Sequence, residues 1–293
     1  MPASSAILPQ TVPVDERQQA NALNRLFFNA AAVIGAPAAG IVVATVGPGW
    51  GIMVDAAAFV LAGICFAFLR VPQQIVEERR RILADLFTGW SEFRSRTWLW
   101  VVVAGACILN ASWSGGFNVL GPTVADATIG RRAWGFVLAA QTIGMILGAL
   151  VAMRIRLHRM LFFGTACLTL LALPMVALGV APQVGVLLVA VFAAGLGLEQ
   201  FGVAWETTMQ EQIPPEKLAR VYSYDMVGSF IAIPVGQIVA GPVADAAGVE
   251  LALIGAAALM ALAVLAMLSS RDVRHLRHRL PDRDGRLMEQ LPA

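Results

Sequence analysis

Glu199 is the only charged residue in the twenty-two-residue stretch Val184–Trp205, and Gln200 follows it directly. A carboxylate placed mid-way through an apolar helix costs about 2.5–3.5 kcal/mol on insertion scales, so it faces a cavity or a partner. Such a group can take a proton from one side and give it up on the other as access alternates. Asp55 stands in a comparable apolar run, nearer its end. Glu206 and Asp225 fall at run ends, close to Arg220, and read as structural charges or gating groups. Asn110, Ser114 and Asn118 are spaced four apart, which sets them on one helix face, with Trp113 beside them. Together with Gln141 and Glu199 they are candidates to line a cavity that contacts an amphipathic solute. The competing reading of these polar residues is hydrogen bonding between helices. No Lys or Arg lies inside any of the apolar runs, which favours protons and cationic or neutral solutes over anions.

These residues must be positioned by membrane-crossing helices. The chain is 58% hydrophobic and 14% charged, with mean hydropathy +0.72. Its runs free of Lys and Arg are Phe27–Val46, Trp50–Leu69, Trp98–Leu120, Trp134–Met153, Met160–Val180, Val184–Trp205, Tyr222–Val243 and Leu251–Ser270. Each is near the ~20 residues needed to cross a hydrocarbon core of about 30 Å. Within lipid the backbone must satisfy its own polar groups, so the runs are expected as helices, and strand alternation is absent. Of the 21 basic residues, 19 fall in alternate connecting segments. That asymmetry places both termini in the cytoplasm of a multi-pass inner-membrane protein. Arg131 and Arg132 are the exceptions and share their loop with Asp126. Trp50, Trp98, Trp100, Trp134, Trp205, Tyr222 and Tyr224 fall at or near run ends, as an interfacial aromatic belt would.

The sequence divides into residues 1–70 with two spans, a cytoplasmic linker 71–97, a six-helix unit 98–270 and a basic tail 271–293. In the linker, Ile82, Leu83, Leu86, Phe87, Trp90 and Phe93 recur at helical spacing and predict an amphipathic helix, lying along the cytoplasmic membrane face or standing as a plain solvated linker helix. The first two spans echo the last two, with Ile34-Gly-Ala-Pro37 matching Ile231-Ala-Ile-Pro234. Enzymatic chemistry finds no support. His158, His275 and His278 lie in connecting segments, the three cysteines are scattered, and no phosphate-cradling loop appears. No metal, cofactor or nucleic acid is expected. The lipid bilayer, a small-molecule solute and a proton are the expected partners.

Pro2-Ala-Ser-Ser-Ala-Ile-Leu-Pro9, Ala20-Asn-Ala-Leu23, Gly35-Ala-Pro37 and Val54-Asp55-Ala-Ala-Ala-Phe59 resemble one family. Gly89-Trp90-x-x-Phe93-Arg-x-Arg96 and Ile213-Pro-x-x-x-Leu-Ala-Arg220-Val-Tyr-Ser continue the likeness. In order and spacing they are similar to major facilitator superfamily transporters of the enterobactin-exporter-like, drug-efflux type. The resemblance implies an all-α fold whose eight transmembrane helices correspond to helices five to twelve. A four-helix N-terminal segment would then be missing. It implies secondary active, proton-coupled efflux of small amphipathic solutes, with a non-transporting truncated membrane fragment or helix-association partner as the alternative. Around Pro37 and Gly40 the sequence resembles the superfamily's antiporter motif, although alanines and Ile41 replace its other glycines. Those residues, with Gly35, are expected to pack helices closely. Arg154, Arg156 and Arg159 look like a degenerate basic inter-helix loop of the C-terminal half.

Overall fold

A computed structural model describes residues 2–68, 90–91, 93–155 and 157–278, and among these every regular element is helical. The helices are α1 (Pro2–Thr11), α2 (Arg17–Val46), α3 (Pro48–Phe68), α4 (Thr97–Ala127), α5 (Arg131–Arg154) and α6 (Met160–Val180). After them come α7 (Val184–Gln212), α8 (Pro215–Ala247), α9 (Val249–Ser269) and the short α10 (Arg271–His275). Six of them, α4 to α9, are long and apolar enough to cross a membrane among the described residues. With the valine- and leucine-rich surfaces they present outward, they make this a multi-pass membrane protein.

Two hairpins frame the chain and share a design. Helix α2, of 30 residues, passes through Gly47 at φ +93° into the 21-residue α3; α8, of 33 residues, passes through Gly248 at φ +88° into the 21-residue α9. A positive φ is open to glycine without steric cost, so each chain reversal is made in a single residue.

Prolines explain the irregular stretches. Pro122 has no N–H to offer the carbonyl four residues back, and the preceding segment Ser114–Leu120 widens into a π-helix. Pro174 does the same to α6, whose segment Leu168–Leu171 tightens to 3-10 geometry. The π-helix undoes the expected polar stripe. Its wider turns shift the facing of the later residues, so Ser114 is buried while Asn118 is exposed.

Helix α7 is the axis of the bundle, in contact with α5, α6 and α2. Its approach to α5 is backbone to backbone: a Cβ at Gly144 would strike the Phe192 carbonyl, and one at Gly195 the Gln141 carbonyl. Gly148 meets Leu196 and the stem of Glu199 in the same way, so the Gly144-x-x-x-Gly148 packing surface is realised. Gly35 instead faces open space, contrary to its expected packing role; the side-chain surroundings of Pro37 and Gly40 lie outside the described residues.

The aromatic belt is only partly present. Trp50 and Trp100 are exposed, but Trp98 and Trp205 are buried and meet edge to face at 5.8 Å. Tyr222 is buried as well. Trp113 stacks on Phe117 at 4.4 Å, and Phe117 packs on Trp134 at 5.0 Å, so the deep tryptophan belongs to an aromatic ladder. Of the expected linker helix, Ile82, Leu83, Leu86 and Phe87 lie outside the described residues; Trp90 and Phe93 pack on each other and on Tyr224.

Candidate functional site

Helix α2 begins ten residues before the apolar run that marks it in the sequence, and the added turns carry the site. Asn21, Arg25 and Asn29 are four apart and occupy one face, with Gln18 a turn below. That face lies against α7 and the end of α5.

The Arg25 guanidinium reaches Glu199, with Nε 2.5 Å from Oε2 and Nη2 3.4 Å from Oε1. Asn29 donates its amide to Glu199 Oε1 at 3.0 Å. The carboxylate is 1% exposed, so it is a buried charge held by three hydrogen bonds from one neighbouring helix. Gly202, nearly one turn further along α7, makes room for this: a Cβ there would overlap the Arg25 guanidinium. No Lys or Arg lies inside the apolar runs, yet Arg25, just before the first of them, supplies Glu199 with a positive partner. Hydropathy leaves Arg25 outside the first apolar run, and only its four-residue spacing with Asn21 and Asn29 signals the shared face.

Towards the basic end of the bundle the same face continues as uncharged contacts. Asn21 donates to Thr207 Oγ1 and Gln210 Oε1, and the Gln210 amide returns a bond to Asn21 Oδ1, each at 3.0 Å. Gln18 donates to the carbonyls of Ala152 and Ile155, at the end of α5 where backbone acceptors run out of helical donors. Arg17 donates to the Gln210 carbonyl at 2.8 Å. A contact from the tail closes this end, where His278 Nδ1 lies 2.9 Å from Glu211 and the His278 amide donates to the His158 carbonyl.

Glu206 and Asp225 take neutral donors. The Tyr222 hydroxyl donates to Glu206 at 2.5 Å, and the Trp205 indole N–H donates to Asp225 at 3.1 Å. The positive charge of Arg25 also acts on Glu206.

The other candidate residues do not assemble into one cavity. Gln200 is buried and spends its amide on the Gly148 carbonyl at 2.6 Å, an inter-helix bond. Ser114 is buried with no hydrogen-bond partner among the described residues, Asn118 is exposed, Gln141 is half-buried on α5, and Asp55 is exposed on α3. Asn110 lines a cavity of about 140 Å³ together with Asp225, Ser229, Phe201 and Trp205, on a different side of α7 from the Arg25 contact. Arg154 is exposed, Arg220 is half-buried near the start of α8, and Arg156 lies outside the described residues. Arg131 pairs with Asp126 at 3.0 Å across the short α4–α5 connection. Among the described residues no cluster of potential metal ligands occurs.

The chain is 27% identical over 237 residues to the multidrug efflux pump Tap of Mycolicibacterium fortuitum, covering 79% of this chain. It spans 58% of that relative's length. The family pattern of the Major Facilitator Superfamily matches residues 1–234, across the Arg25–Glu199 contact and the Asp225 cavity, and the chain belongs to that superfamily.

Proposed function

We propose that this chain acts within a secondary active exporter of small amphipathic solutes, driven by proton entry. The observation that carries the reading is the buried Glu199 carboxylate, held by Arg25 and Asn29 from a helix outside the six-helix unit. In this reading α2 and α3 are the fifth and sixth helices of a major facilitator fold, and α4 to α9 are the seventh to twelfth. Residues 1–70 belong to one half, 71–97 to the linker, 98–270 to the other half and 271–293 to the tail. The basic end of the bundle faces the cytoplasm of a cell whose inner membrane holds the protein, with both termini on that side.

The mechanism rests on charge. With Glu199 ionised, the guanidinium holds α2 against α7 and closes the basic end. A proton on Glu199 cancels its charge and leaves Arg25 with a neutral acceptor, so the two units part and access switches sides. Release of the proton on the cytoplasmic side restores the pair. The multidrug-pump relative supports efflux as the direction and drugs as the solute class. Arg220, Arg154 and Arg156 then serve as topogenic and gating charges, and Pro37 and Gly40 as the bend and small-residue surface of the fifth helix.

The test uses the full gene product in proteoliposomes with a fluorescent amphipathic dye. Glu199→Gln is expected to abolish uphill transport driven by a pH gradient, while downhill dye exchange without a gradient continues. Uphill transport equal to the parent's would remove Glu199 from the coupling step, and with it this mechanism.

A further inference from the structure

Past α9 the chain turns back onto the bundle. Helix α10 anchors on the fully buried Val273 and packs against α4 and α6. Its continuation carries His278 to the last turn of α7. There the imidazole Nδ1 lies 2.9 Å from Glu211, with the two side chains 7% and 1% exposed. The backbone joins in: the His278 amide donates to the His158 carbonyl at 2.9 Å, and the Gln212 side-chain amide donates to the Arg277 carbonyl at 3.5 Å. One short stretch of tail thus ties the end of α7 to the α5–α6 connection. We infer that this stretch is a proton-sensitive latch, with His278 taking the proton and Glu211 holding its charged form.

The chemistry follows from the pair and its surroundings. An imidazole is the side chain whose ordinary titration falls between about pH 5 and 8. The charged and titratable groups of the elements meeting here are Glu211 from α7 and Arg17 from α2, with Arg154, His158 and Arg159 around the α5–α6 connection. The tail adds Asp272, Arg274, His275 and Arg277. Apart from Glu211 and the exposed Asp272 all of these are basic, so Glu211 is the acid that balances a charge on His278. With the imidazole protonated, the two buried groups share a charge-assisted hydrogen bond, roughly twice as strong as a neutral one. That contribution is present at low pH and is lost as pH rises through the imidazole's titration, so alkali loosens the latch.

The effect reaches beyond the tail. Glu211 directly follows Gln210, whose side chain bonds Asn21 and whose carbonyl accepts from Arg17, both on α2. Loosening the last turn of α7 therefore loosens the hold of α2 on the same end. The proposed orientation enters only to say which compartment supplies the proton: an acidified cytoplasm tightens the closed end and brakes further proton entry.

The test needs neither a membrane nor transport, so it stands apart from the role of Glu199. In protein purified in detergent, with its own cysteines changed to serine, Arg277→Cys carries a nitroxide that reports the latch. In a second preparation Gln19→Cys carries one on the exposed face of α2. Both labels are expected to be restrained at the acid end of the imidazole range and to gain mobility several-fold at its alkaline end. His278→Gln should make both profiles flat, and Glu211→Gln should move the transition to lower pH. His158→Gln and His275→Gln should leave it in place, which separates the latch from a general response of the fold. A flat profile in the parent, or a transition that survives in monodisperse His278→Gln, would overturn the latch. A transition at 277 without one at 19 would overturn its coupling to α2.

Discussion

At the scale of single residues the decisive contact is between a guanidinium 29% exposed and a carboxylate 1% exposed. Removing one member of a buried pair strands the other, at a cost of about 3–5 kcal/mol, whereas replacing both by apolar groups is often neutral. Arg25→Met is therefore expected to destabilise the protein strongly, and the double variant Arg25→Met with Glu199→Met to recover most of the loss. Thermal unfolding in detergent checks both, and additive losses would show that the two side chains do not act on each other. Gly202→Leu should reproduce the Arg25→Met defect with both charges intact, since the new side chain occupies the guanidinium's place. Glu199 is legible in the sequence because a lone acid in an apolar run is conspicuous. Arg25 is not, because hydropathy starts a helix only where its apolar character starts. Polar turns at a helix end show no hydropathy signal, and only the four-residue spacing of Asn21, Arg25 and Asn29 marks them as one face.

At the scale of elements, two long helices approach through glycines, and a chain irregularity decides which polar residues share a face. Gly144 and Gly195 each abut a carbonyl of the opposing helix. Adding a β-branched side chain there forces α5 and α7 apart, and overpacking of this kind costs about 1–3 kcal/mol. Gly144→Val should lower the unfolding midpoint, while Gly135→Val, on the same helix but facing open space, should leave it within experimental error. A midpoint lowered equally by both would point to loss of glycine's backbone freedom and away from helix contact. The Gly-x-x-x-Gly spacing makes the first of these surfaces readable. The Asn110, Ser114, Asn118 stripe misleads because a period of 3.6 does not hold through a segment that Pro122 and two adjacent glycines allow to widen. The cavity then brings Asn110 and Asp225 together, a pairing of α4 with α8 that no spacing within either helix encodes. Trp98 and Trp205 show the converse limit: position near a run end suggests an interfacial ring, but their contact across α4 and α7 buries both.

For the whole molecule, the alternation of basic residues carries the strongest prediction, because it concerns every helix at once. Sequence hydropathy outlines eight runs, and the structure has a helix over each, although α2 is diluted by the polar turns that form the site. The two proposed sides can be told apart by chemistry. Gly49, after the α2–α3 reversal, and Asp126, before α5, lie at one end; Arg159, before α6, and Glu216, at the start of α8, lie at the other. The three native cysteines, Cys65, Cys107 and Cys167, are free thiols and must first be changed to serine. Single cysteines at the four positions should then react with a membrane-impermeant maleimide in intact cells only at 49 and 126. In inside-out vesicles the pattern should reverse, with labelling at 159 and 216. The result also tests the two hairpins against each other. Gly47 and Gly248 make equivalent turns after equivalent long helices, so a cysteine at Val249 must label with the 49 and 126 set. Labelling of 249 from the side of 159 would mean that α8 does not traverse the bilayer as α2 does.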